Sequence, residues 1–366
     1  MAKMNMVLHE NEDAIIERED TISEPQFKDN GKLKEFDFAV SNPPFSTKAW
    51  SSGIKPENDE YKRFDGFDIP PKKNGDYAFL LHLIKSLKPT GKGAIILPHG
   101  VLFRGNVEAV IRKNLINRGY IKGIIGLPSN LFYGTSIPAC IIVTDKENAE
   151  SRKGIFLIDA SKGFVKDGNK NRLQAKDIHK IVDVFTNQIE IPKFSRMVPV
   201  SEISDDKNEY NLNIPRYIDS QEEEDIQDIE AHLKGDIPKN DIDDLNQYWE
   251  VYPNIRQTLF APSKRKNYES LIVDNSEIKT IIFEHDEFKK YSEKINKTYS
   301  EWKKINLSVL IKIKVGTNPK KLISEISESI LDKFSKLKLI DKYNIYQHLM
   351  TYWEDTMQDD LYRSEE

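Results

Sequence analysis

Residues 42–45 read Asn-Pro-Pro-Phe and follow a short apolar run, FDFAVS (36–41). Proline fixes its own φ, donates no backbone hydrogen bond and biases the residue before it toward an extended conformation. Asn42 is therefore held extended, with its amide leaving the carboxyl end of a strand, where open α/β sheets bind their ligands. Neither Pro43 nor Pro44 has an N–H, so nearby carbonyls lack local donors. The loop offers two rigid acceptors, Asn42 Oδ1 and the Pro43 carbonyl, and the flat apolar face of Phe45. Two acceptors and a ring suit a planar group carrying an exocyclic –NH2. An adenine amino nitrogen is a poor nucleophile because its lone pair is delocalised into the ring. Accepting both of its N–H bonds draws the nitrogen toward tetrahedral geometry and frees that pair. This is preorganised electrostatic help, since an amide cannot take the proton. A base in a duplex reaches such a pocket only by leaving the helix. The plain alternative is a stiff turn after a strand.

The elements that must position this loop alternate along residues 1–145. AIIER (14–18), FDFAVS (36–41), GAIILP (93–98), IKGIIGLP (121–128) and ACIIVTD (139–145) read as short strands. DYAFLLHLIKSLK (76–88) carries an apolar stripe through Phe79, Leu80, Leu83, Ile84 and Leu87, and NVEAVIRKNLINRG (106–119) is a second amphipathic helix stopped by Gly119. This pattern predicts an α/β fold, a mostly parallel sheet covered by helices, with the last two strands as an antiparallel hairpin at its edge. GIFLIDAS (154–161) adds a strand, AKDIHKIVDVFTN (175–187) a helix, and NLNIPRY (211–217) an extended segment. Beyond the acidic stretch everything reads as helical, over 243–260, 285–305, 319–337 and 340–360.

The chain has 366 residues, 38% hydrophobic and 31% charged, with a net charge of −5, which is a soluble globular profile. It carries no signal peptide and no apolar run of membrane-spanning length, so a cytoplasmic location with no membrane partner is expected. Cys140 is the one cysteine, which excludes a disulfide framework, and no His, Cys or carboxylate cluster has metal-ligand spacing, so no metal is expected. The charge is uneven. Residues 219–250 hold twelve acidic residues against two lysines, a net of −10, whereas 264–342 hold eighteen basic against twelve acidic, a net of +6. This predicts a division into 1–218, a partial catalytic domain, 219–262, an acidic linker and helix, and 263–366, a lysine-rich helical region. Leu339, Tyr343, Tyr346, Met350, Trp353 and Met357 fall on a heptad seam that could meet a partner helix or pack within the chain's own helices.

AVSNPPF (39–45) resembles the catalytic motif of amino-group methyltransferases. GAIILPHGVLFRG (93–105), IRKNLINRGYIKGIIGLPSNLFYGTSIPACIIV (111–143), LIDASKGFVKDGNKNRLQAKDI (157–178) and YNLNIPRYI (210–218) resemble later segments of the modification subunit of type I restriction–modification systems. LIDKYNIYQHLMTYWEDTMQDD (339–360) resembles that family's C-terminal helical segment. The resemblance spans nearly the whole chain. It implies a Rossmann-like S-adenosylmethionine-dependent methyltransferase domain, a helical C-terminal region, and N6 methylation of a flipped adenine in double-stranded DNA. It also implies a hetero-oligomer with specificity and restriction subunits. Asn42, Pro43, Pro44 and Phe45 would be catalytic, Asp20 would lie near the cofactor adenine, and Phe132 and Tyr133 would face the base, with Phe132 stacking opposite Phe45.

The sequence departs from that family at its start. The helical opening domain, the glycine loop that binds S-adenosylmethionine and the acidic residue that holds the cofactor ribose are not found. MAKMNMVLHE resembles the helix just after that point, so the domain is expected to be incomplete at its N-terminus. Two rival readings follow: a non-catalytic truncated scaffold that binds the specificity subunit, and an amino-group methyltransferase acting on protein or RNA. Ordinary roles compete at the remaining residues. Asp20 could cap a turn, Phe132 could be hairpin core, Asp76 could cap the helix it begins, and Arg104 could touch a phosphate or cap a helix. His99 reads as a loop histidine rather than a base, and Cys140 as core.

Overall fold

The computed structural model describes residues 2–9, 11–221 and 227–365, so residues 222–226 of the acidic stretch lie outside the described residues. The chain forms two compact units, Met1–Gln221 and Glu222–Glu366.

The first unit is built on a six-stranded mixed sheet. Its strands are β1 (Phe36–Ser41), β2 (Leu87–Pro98), β3 (Ile121–Gly126), β4 (Ala139–Asp145), β5 (Gly154–Asp159) and β8 (Ser195–Pro199), in the order β8-β5-β3-β4-β2-β1. A two-stranded ribbon, β6 (Val165–Asp167) with β7 (Lys170–Arg172), follows β5. β1 runs parallel to β2 and β3 parallel to β5, while β4 is antiparallel to both β2 and β3. Hence β1, β2, β3 and β5 point one way, and β4 and β8 the other. The β3–β4 hairpin is present, but its return strand is not at the edge. Both faces of β4 are apolar (Cys140 and Ile142 on one, Ile141 and Val143 on the other), which suits an interior strand. The antiparallel edge is β8, which pairs with β5.

Helices α1 (Asp76–Lys85) and α2 (Val107–Asn117) cover one face. Leu80, Leu83 and Ile84 of α1 and Ile111 and Leu115 of α2 are buried with Ile95, Leu97, Ile124 and Ile142 of the sheet. Each such side chain stabilises the fold by about 1.5–3 kcal/mol. α2 ends at Gly119, whose φ of +65° turns the chain where a Cβ would lie 1.9 Å from the Ala149 carbonyl oxygen. On the opposite face, α3 (Ala175–Asn187) buries Ile181 and Val184 against Phe156 and Ile158. β1 is the other edge strand, and its Phe38 and Val40 are 75% and 85% exposed.

Residues 14–18, expected as a strand, form no regular element, and Ile15 and Ile16 are exposed. A strand needs a hydrogen-bonded neighbour, and residues 14–18 pair with no strand among the described residues, leaving the free edge of β1 uncovered by them.

The second unit is mainly helical, with α4 (Asp286–Leu310), α5 (Pro319–Phe334) and α6 (Lys342–Thr356) packed around Trp302, Leu322, Ile326, Ile330, Phe334 and Trp353. It is not all helix. Ile237–Pro238, Tyr268–Leu271 and Phe260–Pro262 form a small antiparallel sheet, and Pro253 breaks the expected 243–260 helix into Asn246–Trp249 and Pro253–Leu259. Proline has no N–H to continue a helix but is well placed to start one. The seam on α6 faces inward. Tyr343, Tyr346 and Trp353 are buried, Met357 packs on the Trp302 core, and Leu339 joins a second cluster around Tyr252. The seam is therefore core of its own unit and does not present an outward docking face.

Among the described residues no helix is long and apolar enough to cross a membrane.

Candidate active site

Because β1, β2 and β3 share a direction, the segments leaving their carboxyl ends lie at the same end of the sheet. These are residues 42–47, 99–106 and 127–138. The register Ser41↔Ile95 between β1 and β2 puts Asn42 beside the last residues of β2. Asn42 is exposed, Pro43 is buried and Phe45 is half-buried. Among the described residues the Asn42 amide makes no hydrogen bond, so it is open to a ligand. Phe45 meets Phe132 edge to face, with ring centroids 5.5 Å apart and planes at 73°. Phe132 is thus brought to the loop, and Tyr133 is not: it is 94% exposed, just before the turn at Gly134 (φ +79°).

The loop is pinned from behind. The Ser46 N–H donates to Asp76 Oδ1 at 2.7 Å, and Arg104 Nη1 donates to Asp76 Oδ2 at 2.7 Å. Ser46 has φ +51°, a left-handed conformation that costs a non-glycine residue about 1–2 kcal/mol. The bond to Asp76 offsets part of that cost. The Gly75 N–H donates to the Thr47 carbonyl at 2.9 Å, Thr47 Oγ1 donates to the Pro44 carbonyl at 3.0 Å, and Trp50 Nε1 donates to the Pro71 carbonyl at 3.0 Å. The carboxylate of Asp76 does not cap its own helix, whose N-cap is Gly75 without a side-chain bond. It reaches thirty residues back to the loop instead. Arg104 likewise pairs with Asp76 and, at 3.3 Å, with Glu108, so it caps nothing. Sequence reading missed this link because a carboxylate at a helix start looks like a cap.

The other sequence candidates sort by their surroundings. His99 donates its backbone N–H to the Pro138 carbonyl at 2.9 Å, and its buried ring Nε2 has no partner among the described residues. Burial holds its imidazole below the usual histidine range, with Asp159 opposing, so the ring is a neutral wedge. Cys140 is fully buried, which pushes its thiol far up. No group of three His, Cys, Asp or Glu among the described residues could hold a metal.

Asp20 is exposed, and its Oδ1 accepts the N–H groups of Ser23 at 2.9 Å and Ile22 at 3.0 Å. These bonds, the Ser23 one first, hold its carboxyl below the ordinary value. Its segment is fastened to the core by Ile22 and by Arg63, whose Nη1 donates to the Ile22 carbonyl at 2.8 Å. Arg63 in turn binds Asp59 and lies 3.2 Å from His82 Nδ1 on α1. For an S-adenosylmethionine cofactor the fit is incomplete. Asp20 already spends one oxygen on its own turn. Gly100, which lies between β2 and α2, is covered by Arg104: a Cβ there would sit 2.6 Å from Arg104 Nε. That glycine makes room for an arginine, whereas Gly105 in the same connection faces open space.

The chain is similar to known proteins over this unit. The family model for N-6 DNA Methylase matches residues 1–226. The type I restriction enzyme MjaVII methylase subunit of Methanocaldococcus jannaschii is 35% identical over 245 residues, covering 64% of this chain and 41% of that protein. The MpnII methylase subunit of Mycoplasma pneumoniae is 35% identical over 238 residues, covering 63% and 43%. The solved methyltransferase subunit of a type I restriction-modification system from Streptococcus thermophilus is 39% identical with a TM-score of 0.54, covering 60% of this chain and 46% of that one. The chain spans less than half the length of these relatives.

Proposed function

The chain belongs to the N-6 DNA methylase family, and from that premise we propose that it acts as a DNA adenine-N6 methyltransferase subunit of a type I restriction–modification system. The observation that carries this reading is the exposed Asn42 amide, free of hydrogen bonds among the described residues, beside Phe45 on a loop pinned by Asp76. Asn42 Oδ1 and the Pro43 carbonyl would accept the two N–H bonds of a flipped adenine and localise its lone pair. Pro44 would keep the loop stiff, and Phe45 would stack on the base. S-adenosylmethionine would supply the methyl group, and from this chain Asp20 is the residue proposed to touch it. Double-stranded DNA and the specificity subunit are the proposed partners, with the restriction subunit completing a hetero-oligomer. A cytoplasmic location goes with this role.

The incomplete cofactor fit favours a second reading, a scaffold that binds the specificity subunit without catalysing. The two separate in one assay. The chain, with the specificity subunit, is given labelled S-adenosylmethionine and duplexes with and without adenine at the target position. Label in adenine N6 supports the first reading. Stable complex formation with no label in either duplex supports the second.

A further inference from the structure

Phe132 rides on a twelve-residue connection, 127–138, that contains no regular element. Such a segment holds one position only if other groups fix it. Three of its oxygens converge on one cation. Lys170 Nζ, at the start of β7, donates to the Phe132 carbonyl at 2.8 Å, to Asn130 Oδ1 at 3.0 Å and to the Thr135 carbonyl at 3.2 Å. An ammonium has three donors, and here all three go to this one loop. The β6–β7 ribbon adds further bonds. The Asn171 N–H donates to the Asn130 carbonyl at 3.0 Å, Asn171 Nδ2 to the Ser129 carbonyl at 2.8 Å, and Asn130 Nδ2 to the Asn169 carbonyl at 2.6 Å.

The other side of Phe132 borders an apolar groove of about 570 Å³, lined also by Leu131, Ile125, Ile181, Val182 and Phe185. The ring lines this groove and meets Phe45 in one position. The lysine bonds the backbone carbonyl of Phe132 itself, so it fixes the main chain from which that ring projects.

We propose that Lys170 is a positioning residue for the base slot: its ammonium holds the 127–138 loop so that Phe132 faces Phe45. The proposal rests on the methyltransferase reading of the Phe45 loop. A compact cation with tetrahedral donors suits three oxygens approaching from different directions, and the planar fork of arginine does not. Lys170→Arg is accordingly expected to behave like Lys170→Met.

The test has two arms. Hydrogen exchange on the 366-residue chain needs no DNA. Lys170→Met is expected to speed exchange of the Asn130 and Asn171 amides, which donate to the Ser136 and Asn130 carbonyls, about tenfold or more and to leave β2, β4 and α3 unchanged. In Lys170→Cys, alkylation with bromoethylamine rebuilds an ammonium and is expected to restore slow exchange. The native Cys140 is buried and does not compete. In the complex with the specificity subunit, Lys170→Met is expected to raise KM for duplex at least tenfold, with a smaller effect on kcat. Unchanged loop exchange overturns the proposal, and so does a loosened loop with unaltered KM. A wild-type complex that leaves adenine unmethylated overturns the reading of the Phe45 loop, while the exchange arm still decides whether Lys170 ties the loop.

Discussion

Phe45 and Phe132 touch edge to face at 5.5 Å between ring centroids. A base sandwiched between them needs two parallel contacts of about 3.5 Å each, or about 7 Å between ring planes. The slot is therefore closed in this state, and an adenine must displace one ring to enter. Phe45 sits on the stiffer wall, between two prolines and the Asp76 anchor, so the Phe132 side chain is the one expected to swing aside, on a backbone that Lys170 holds. Phe45→Ala should weaken capture of the flipped base by about 1–3 kcal/mol, and Phe45→Tyr should be tolerated. The fluorescence rise of 2-aminopurine at the target position measures this. An equal signal from wild type and Phe45→Ala would count against stacking.

The bond from the Ser46 N–H to Asp76 gives a second expectation. Asp76→Ala removes the acceptor that holds the loop and leaves Arg104 with Glu108 alone. A displacement of the Asn42 amide by even about 1 Å should lower kcat about a hundredfold. Asp76→Asn keeps an acceptor at that position and should retain much more activity than alanine. Equal loss in both, with folding intact by circular dichroism, would show that the charge matters and the loop bond does not.

Stability should depend on pH through His82. Burial first, and then the Arg63 charge, push its imidazole down to about 4 from 6.5. Between these values the unfolded chain binds a proton that the folded chain does not, so stability falls as pH drops below 6.5 and levels off near 4. The full change is roughly 3 kcal/mol. Urea unfolding at pH 7 and pH 4.5 measures it, and His82→Gln should reduce the difference by most of that amount. A slope unchanged in the variant would assign the pH dependence to other groups.

The cofactor fit gives a binding prediction. With one Asp20 oxygen engaged in its own turn and Gly100 filled by Arg104, a polypeptide of these 366 residues should bind S-adenosylmethionine weakly or not at all. Calorimetry reads this directly. Micromolar binding would mean that other residues of the chain build the site.

The Asn42 loop was legible in the sequence because proline chemistry is local: φ, the missing donors and the bias on the preceding residue need no tertiary knowledge. The short apolar runs at residues 36–41 and 139–145 likewise marked their strands. What stayed hidden was pairwise. The interior place of β4 depends on which strands it joins, and periodicity records faces, not neighbours. Asp76 looked like a helix cap because its partner, Ser46, lies thirty positions away. The role of Lys170 was invisible for the same reason, since its acceptors are carbonyls that any residue supplies. The α6 seam packs inward as its spacing allows, but a heptad pattern does not say whether the facing helix belongs to the same chain.

We propose that Asn42 activates the amine by accepting its N–H bonds. The most direct test compares wild type with Asn42→Ala for methyl transfer to an adenine duplex, in the complex with the specificity subunit, after confirming equal folding and equal duplex affinity. Loss of one oriented acceptor should lower kcat about a hundredfold or more. Turnover by Asn42→Ala within a factor of about three of wild type would show that Asn42 is not the activating acceptor.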